Sequence, residues 1–203
     1  MTILLAKSAQ EVTDSLEHGP FDIVTCPEPI SGDFEVIPTV LFTKPYLDNT
    51  GTVMRSVDKE RHEHVASIVD TAIRRALTLA PTERIYILSG DVIPQSGWRD
   101  KMDAAITAGV GMACAIVPDP GNEGYVKAAP SFEIHYRTSV QTITKPEVVY
   151  SGTIDCCAIT PEAAQLMPPI NAARGSLEVS IADSMLDNLS IVLVPNSMCW
   201  LRP

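Results

Sequence analysis

The residues best suited to chemistry are three in a row: Ser89, Gly90 and Asp91, which follow the apolar run Ile85-Tyr86-Ile87-Leu88. In an open parallel sheet, ligands bind beyond the carboxyl ends of the strands. A carboxylate at such an end can hold a divalent cation, which in turn binds phosphate oxygens. Ser89 adds a hydroxyl that both donates and accepts hydrogen bonds. Gly90 lets the backbone approach a ligand closely. The same three residues also read as a strand-ending turn closed by an Asx hydrogen bond.

The remaining chemistry-bearing residues are dispersed. His62 and His64 flank Glu63 near a helix start. Residues two apart do not share a helical face, and the pattern is not His-Glu-x-x-His, so the pair reads as solvated surface. His135 reads as a polar strand residue. The five cysteines are odd in number and form no Cys-x-x-Cys, against a zinc ribbon or a thioredoxin-type motif. Cys114 and Cys157 lie in apolar runs, where a reduced thiol acts as a small hydrophobe, so a reducing, cytoplasmic setting is expected. Gly109-Val110-Gly111 follows a helix and precedes a strand, the wrong order for a phosphate loop. The sequence holds neither a Gly-x-x-x-x-Gly-Lys-Ser/Thr loop nor a Gly-x-Ser-x-Gly elbow.

Charge narrows the partners. With 15 basic and 25 acidic residues the net charge is −10, and no basic stripe is present, so nucleic acid would be repelled. The 203 residues, 45% of them hydrophobic, suffice for one domain with a sizeable core. Residues 1–7 are too short for a signal peptide, and no run approaches the ~18 apolar residues of a membrane span. One domain over 1–203 is expected.

The elements that must position Ser89-Gly90-Asp91 follow from periodicity. Residues 2–6 read as a buried strand, and residues 8–18 as a helix with Ser8 as N-cap and Glu11 three residues on. Residues 21–25 form the next strand, and residues 34–44 a strand broken at Pro38. Residues 45–58, with Asp48-Asn49-Thr50-Gly51, read as an exposed loop or lid. Val65, Ile68, Val69, Ala72, Ile73, Ala76 and Leu77 mark a helix over 59–79. Residues 84–88 form a strand covered on both faces. A helix over 96–108 and a strand over 112–117 complete an order that implies parallel strands and right-handed crossovers. Residues 118–130 read as loop. Strands are expected over 131–136, 140–144, 154–159 and 191–194, and helices over 161–166 and 176–189.

Residues 85–98, Ile-Tyr-Ile-Leu-Ser-Gly-Asp-Val-Ile-Pro-Gln-Ser-Gly-Trp, resemble the core of GT-A-fold glycosyltransferases, especially the family 2-like group. That pattern is an apolar strand, an Asp-x-Asp motif, a Pro-containing turn and Gly-Trp opening a helix. The likeness is clearest over 61–117 and includes the helix bearing Ala66, Ala72 and Ala76. It implies a GT-A-like three-layer α/β/α sandwich with a mostly parallel sheet. Residues 1–117 would bind the nucleotide sugar, and 118–203 would form the acceptor side. Ser89 stands where the first Asp of the motif is expected, and Asp91 keeps the last, metal-contacting position.

The resemblance extends to Ser151-Gly152-Thr153-Ile154-Asp155-Cys156-Cys157-Ala158-Ile159-Thr160, similar to the family's Gly-containing strand near the acceptor site, and to Leu177-Glu178-Val179, where the family carries Glu-Asp. It implies Glu178, or Asp183 one turn on, as general base on an acceptor hydroxyl. Glu178 also reads as a carboxylate compensating a helix dipole behind a Ser176 cap. Thr25 and Asp33 would lie near the base or ribose. Trp200 reads as a core-edge residue or as a stacking surface for a sugar. The late His of the family's metal site has no counterpart in Met198-Cys199-Trp200-Leu201-Arg202-Pro203.

The expected function is transfer of a sugar from a nucleotide-diphosphate sugar to an acceptor hydroxyl, with Mn²⁺ or Mg²⁺ at Asp91. Two alternatives remain. One is a degenerate GT-A domain that binds a sugar nucleotide or a protein partner without turnover. The other is a nucleotidyltransferase-like enzyme, against which stands the lack of a Gly-rich basic loop in residues 6–20.

Overall fold

The computed structural model describes residues 1–40, 51–118, 125–126, 128–129, 137–138, 143–167, 169–170, 181–183, 185 and 188–202. Its first half runs β1 (Thr2–Leu5), α1 (Ala9–Ser15), β2 (Ile23–Cys26), β3 (Glu35–Pro38), α2 (Gly51–Leu79), β4 (Ile85–Ser89), β5 (Val92–Pro94), α3 (Trp98–Ala105) and β6 (Val110–Ile116). The short strands β7 (Tyr125–Val126), β8 (Ala128–Ala129), β9 (Arg137–Thr138), β10 (Glu147–Val149) and β11 (Ser151–Gly152) follow. The described chain closes with β12 (Cys156–Ile159), α4 (Pro161–Leu166) and β13 (Ser190–Leu201).

The main sheet has the order β10-β13-β6-β12-β4-β1-β2-β3, with β5 paired to β13. β4, β1, β2 and β3 are parallel neighbours. β12 lies antiparallel between β4 and β6. β13 runs parallel to β6 and antiparallel to β10. The sheet is mostly parallel, as expected, but the crossover through α3 does not join neighbouring strands, because β12 from the second half is inserted between them.

Alternation along the strands builds a core on each face of the sheet. Ile3, Ile23, Ile87, Cys114 and Cys157 point to one side, where they meet Ala66, Val69, Ala72, Ile73 and Ala76 of α2 and Ala163 and Ala164 of α4. Leu4, Val24, Leu88, Ala113 and Ala158 point to the other, against Val12 of α1 and Trp98, Met102 and Ala105 of α3. The result is three layers, helices on both faces of one sheet. Burial of central strands on both faces is why they read as continuous apolar runs. Among the described residues, no helix is long and apolar enough to cross a membrane.

Local signals explain most element ends. The Ser8 side chain accepts from the Glu11 backbone N–H at 3.2 Å, as the cap predicts. Gly97 opens α3 at φ 69°, a left-handed conformation that disfavours side-chain-bearing residues. Thr160 caps α4, whose first position is Pro161.

Three expectations are corrected. Residues 51–58 are helical rather than loop, because α2 begins at Gly51 and no Pro or Gly interrupts 52–79; residues 45–50 lie outside the described residues. The last strand spans Ser190–Leu201 rather than 191–194. Its register shifts between Leu193 and Met198, with Asn196 at φ 61°, and this irregularity carries the strand past Pro195 to pair with β5. Finally, the stretch 118–130, read as loop, contains the short strands Tyr125–Val126 and Ala128–Ala129. Residues 131–136, 139–142 and most of 176–189 lie outside the described residues.

Candidate functional site

β1 and β4 end level with each other, with Leu5 opposite Ser89 in parallel register. The turn after β4 is therefore pinned between neighbours. The Gly90 N–H donates to the Leu5 carbonyl and the Ser89 N–H to the Asp155 carbonyl, both at 2.7 Å. The end of β13 closes the third side: the Arg202 N–H donates to the Asp91 carbonyl at 2.8 Å, and its Nε donates to the Gly90 carbonyl at 2.7 Å. Arg202 Nη2 also reaches the Asp14 carbonyl and the buried Ser15 Oγ, each at 3.1 Å, which ties the turn to α1.

Gly90 is required by a protein neighbour. A Cβ placed there would lie 2.5 Å from Glu11 Oε2 and 2.9 Å from Glu11 Cβ. The space that a side chain at position 90 would take is thus filled by the Glu11 side chain. Glu11 Oε2 also accepts from the Lys7 N–H at 2.7 Å, so this carboxylate organises the segment joining β1 to α1.

A cleft of about 550 Å³ opens at the carboxyl ends of β1, β2 and β4. Its polar lining includes Lys7, Thr25, Thr39, Ser89, Asp91 and Asp155, with His64 from α2. Val65, Ile68 and Val69 of the same helix supply an apolar wall. Asp91 Oδ1 accepts from Ser89 Oγ at 2.5 Å, and Asp91 Oδ2 lies 2.6 Å from Lys7 Nζ. Asp155 Oδ2 accepts from Thr153 Oγ1 at 2.8 Å.

The expected site residues separate into groups. Ser89, Asp91 and Thr25 share the cleft, although Thr25 is 1% exposed and its Oγ1 is 3.5 Å from the Leu4 carbonyl. Asp33 is not with them. It precedes β3, which runs parallel to β2, and so stands at the amino end of the strands; Thr39 and Val40 occupy the carboxyl end of β3 and line the cleft instead. Asp183 is exposed and accepts from the Tyr150 hydroxyl at 2.6 Å, apart from the cleft lining. Burial, followed by that hydrogen bond, pushes the Tyr150 phenol up to about 12. Glu178 lies outside the described residues.

Sequence reasoning misses Lys7, reaches Asp155 only as part of the segment that resembles the strand near the acceptor site, and reads His64 as solvated surface. His64 lines the cleft, with Nε2 at 2.5 Å from the Val40 carbonyl. The available signal for Lys7 was its position just past the end of β1, next to Ser8, the cap of α1. Trp98 is 4% exposed and packs edge-on against Tyr86, ring centroids 6.0 Å apart. Trp200, 48% exposed, lies opposite Ile93 at the sheet edge.

No protein-family model matches this sequence, and no curated protein matches it. Solved structures match by shape. The A197 protein from STIV is similar with a TM-score of 0.62 at 12% identity, covering 100% of this chain and 85% of the other. GalNAc-T7, solved with UDP, GalNAc and Mn²⁺, is similar with a TM-score of 0.59 at 11% identity; 98% of this chain matches, but only 43% of that one. UDP-glucose pyrophosphorylase from Acinetobacter baumannii gives a TM-score of 0.50 at 9% identity, covering 98% and 87%. The fold is GT-A-like α/β, as the sequence implied.

The Mn²⁺ belongs to the GalNAc-T7 structure. Among the described residues, no three His, Cys, Asp or Glu side chains group to hold a metal. Both Asp91 oxygens already have partners, a hydroxyl and an ammonium. This donor set does not fit a divalent-cation centre, which needs several oxygen ligands around one point.

Proposed function

We propose that the cleft binds a nucleotide-diphosphate sugar and that the protein transfers the sugar to an acceptor hydroxyl. The observation that carries this reading is the placement of Ser89 and Asp91 on a cleft beyond the carboxyl ends of three adjacent parallel strands, in a GT-A-like fold. Such strand ends are where open α/β sheets bind ligands. Ser89 would hold a ribose hydroxyl, and the apolar wall from α2 would cover the nucleoside. In transfer, the acceptor oxygen bonds to the anomeric carbon as the bond to the diphosphate breaks, and a carboxylate takes the acceptor proton if the reaction inverts. Glu178 is the proposed base, on the strength of the sequence resemblance; Asp183, its alternative there, is engaged by the Tyr150 hydroxyl apart from the cleft lining.

The test is thermal shift with UDP- and GDP-sugars, with and without Mn²⁺, followed by an assay for release of the nucleoside diphosphate. Stabilisation by one donor with acceptor-dependent release is the expected result. No shift with any nucleotide would refute the proposal. A second reading, a binding domain without turnover, draws on the engagement of both Asp91 oxygens and on Ser89 in place of an acidic residue. Stabilisation without release across a broad acceptor panel would select it.

A further inference from the structure

We propose that the Lys7 ammonium, held in place by Asp91, is the phosphate-binding cation of the cleft, so that a nucleoside diphosphate binds there without a divalent metal. This rests on the cleft being the nucleotide-diphosphate-sugar site proposed above.

The placement follows from the register. Leu5 pairs with Ser89, and Lys7 and Asp91 each stand two residues past those partners, so their side chains meet at the mouth of the cleft although 84 residues separate them. Glu11 fixes the backbone of Lys7 through its N–H, which directs the side chain from a defined origin. Asp91 then holds the ammonium at 2.6 Å, while Ser89 Oγ holds the other carboxylate oxygen. An ammonium carries three donors, and one serves Asp91. The remaining two can meet phosphate oxygens, since the Lys7 side chain is 63% exposed.

The order of charges, carboxylate then cation then phosphate, is the one a metal would create, but both charged protein groups are covalently part of this chain. An ion pair this exposed contributes little to folding. Its place on the cleft, and not stability, is what it supplies. Lysine serves phosphate as a point charge, a role that needs neither octahedral geometry nor additional carboxylates. Asp155, the other described acidic residue lining the cleft, accepts from Thr153.

The experiment is titration calorimetry of the full chain with UDP, GDP, CDP and ADP, in excess EDTA and again in saturating Mn²⁺. The expected result is that at least one diphosphate binds in EDTA, with an affinity within about threefold of that in Mn²⁺. Lys7→Ala should then weaken that diphosphate by about 10- to 100-fold, the size of a charge-assisted hydrogen bond, and Lys7→Arg should retain most of the affinity. Because the Lys7 side chain is exposed, the Ala variant should keep the wild-type melting temperature, which separates lost binding from lost folding. Binding only in Mn²⁺, or unchanged affinity in Lys7→Ala, overturns this inference and leaves the functional proposal standing. No binding under either condition overturns both.

Discussion

Replacing Gly90 by Ala tests whether the turn at the heart of the site is held by Glu11. Gly90 has no positive φ, so an Ala backbone is compatible there. In open space the change would stabilise the chain by about 0.4–1 kcal/mol, by restricting the unfolded state. The structure reverses that sign. The new Cβ would sit 2.5 Å from Glu11 Oε2, a contact that a rotamer change relieves only by breaking the 2.7 Å bond to the Lys7 N–H. It would also sit 2.9 Å from Glu11 Cβ, which no rotamer moves, so the first turn of α1 must shift. Loss of a hydrogen bond to a charged group costs about 1.5–3 kcal/mol. The net expectation is a loss of about 1–3 kcal/mol, or about 2–12 °C in melting temperature for a chain of this size. Urea and thermal unfolding of Gly90→Ala, Glu11→Gly and the double variant form the assay. Gly removes both clashing atoms, so in the Glu11→Gly background Gly90→Ala should cost nothing or stabilise slightly, and the cycle subtracts the helix-propensity cost of the added Gly. Equal costs in both backgrounds would refute the reasoning.

Arg202→Ala removes the donors to the Gly90 and Asp14 carbonyls and to the buried Ser15 hydroxyl. Urea unfolding should show a loss of about 1.5–3 kcal/mol, whereas a change below about 0.5 kcal/mol would show that β13 does not clamp the turn. A pH effect follows from Tyr86, whose phenol is pushed up to about 12 by burial and by its bond to Asp103. Its folded value lies above the unfolded value of about 10, so the native state keeps a proton that the unfolded state has released. That contribution to stability is complete below pH 10 and is lost as the pH rises towards 12. Tyr86→Phe should flatten the decline of stability over that window, with one high-pH phenolate transition removed from the ultraviolet titration; an unchanged slope would contradict it.

Much of the scaffold was legible in the sequence because its signals are local. The capping of α1 by Ser8 depends on residues three apart, and the buried stripe of α2 on spacings of three and four. The strand bearing Ser89-Gly90-Asp91 is a continuous apolar run, the mark of burial on both faces. The misreadings share a cause. For residues 51–58 the turn signal of Asp48-Asn49-Thr50-Gly51 points to loop, but it stops where the helix starts. Asp33 is close in sequence to a strand, but the strand's direction, which puts it at the amino end, emerges only from pairing with β2. β13 crosses an irregularity at Asn196 that looks like a terminus when read as local pattern.

That Ser89-Gly90-Asp91 closes a strand buried on both faces is readable from the residues alone, since one strand's apolar pattern suffices for that. Tertiary structure decided what the three residues meet: Lys7 from the parallel neighbour β1, Glu11 from α1, Arg202 from the end of β13, and the backbone of Asp155 before the antiparallel β12. The physical reason is that strand order and register are set by how two apolar faces pack across the whole sheet. Residues 84 apart become partners only through that packing, and no short-range period in the sequence records it.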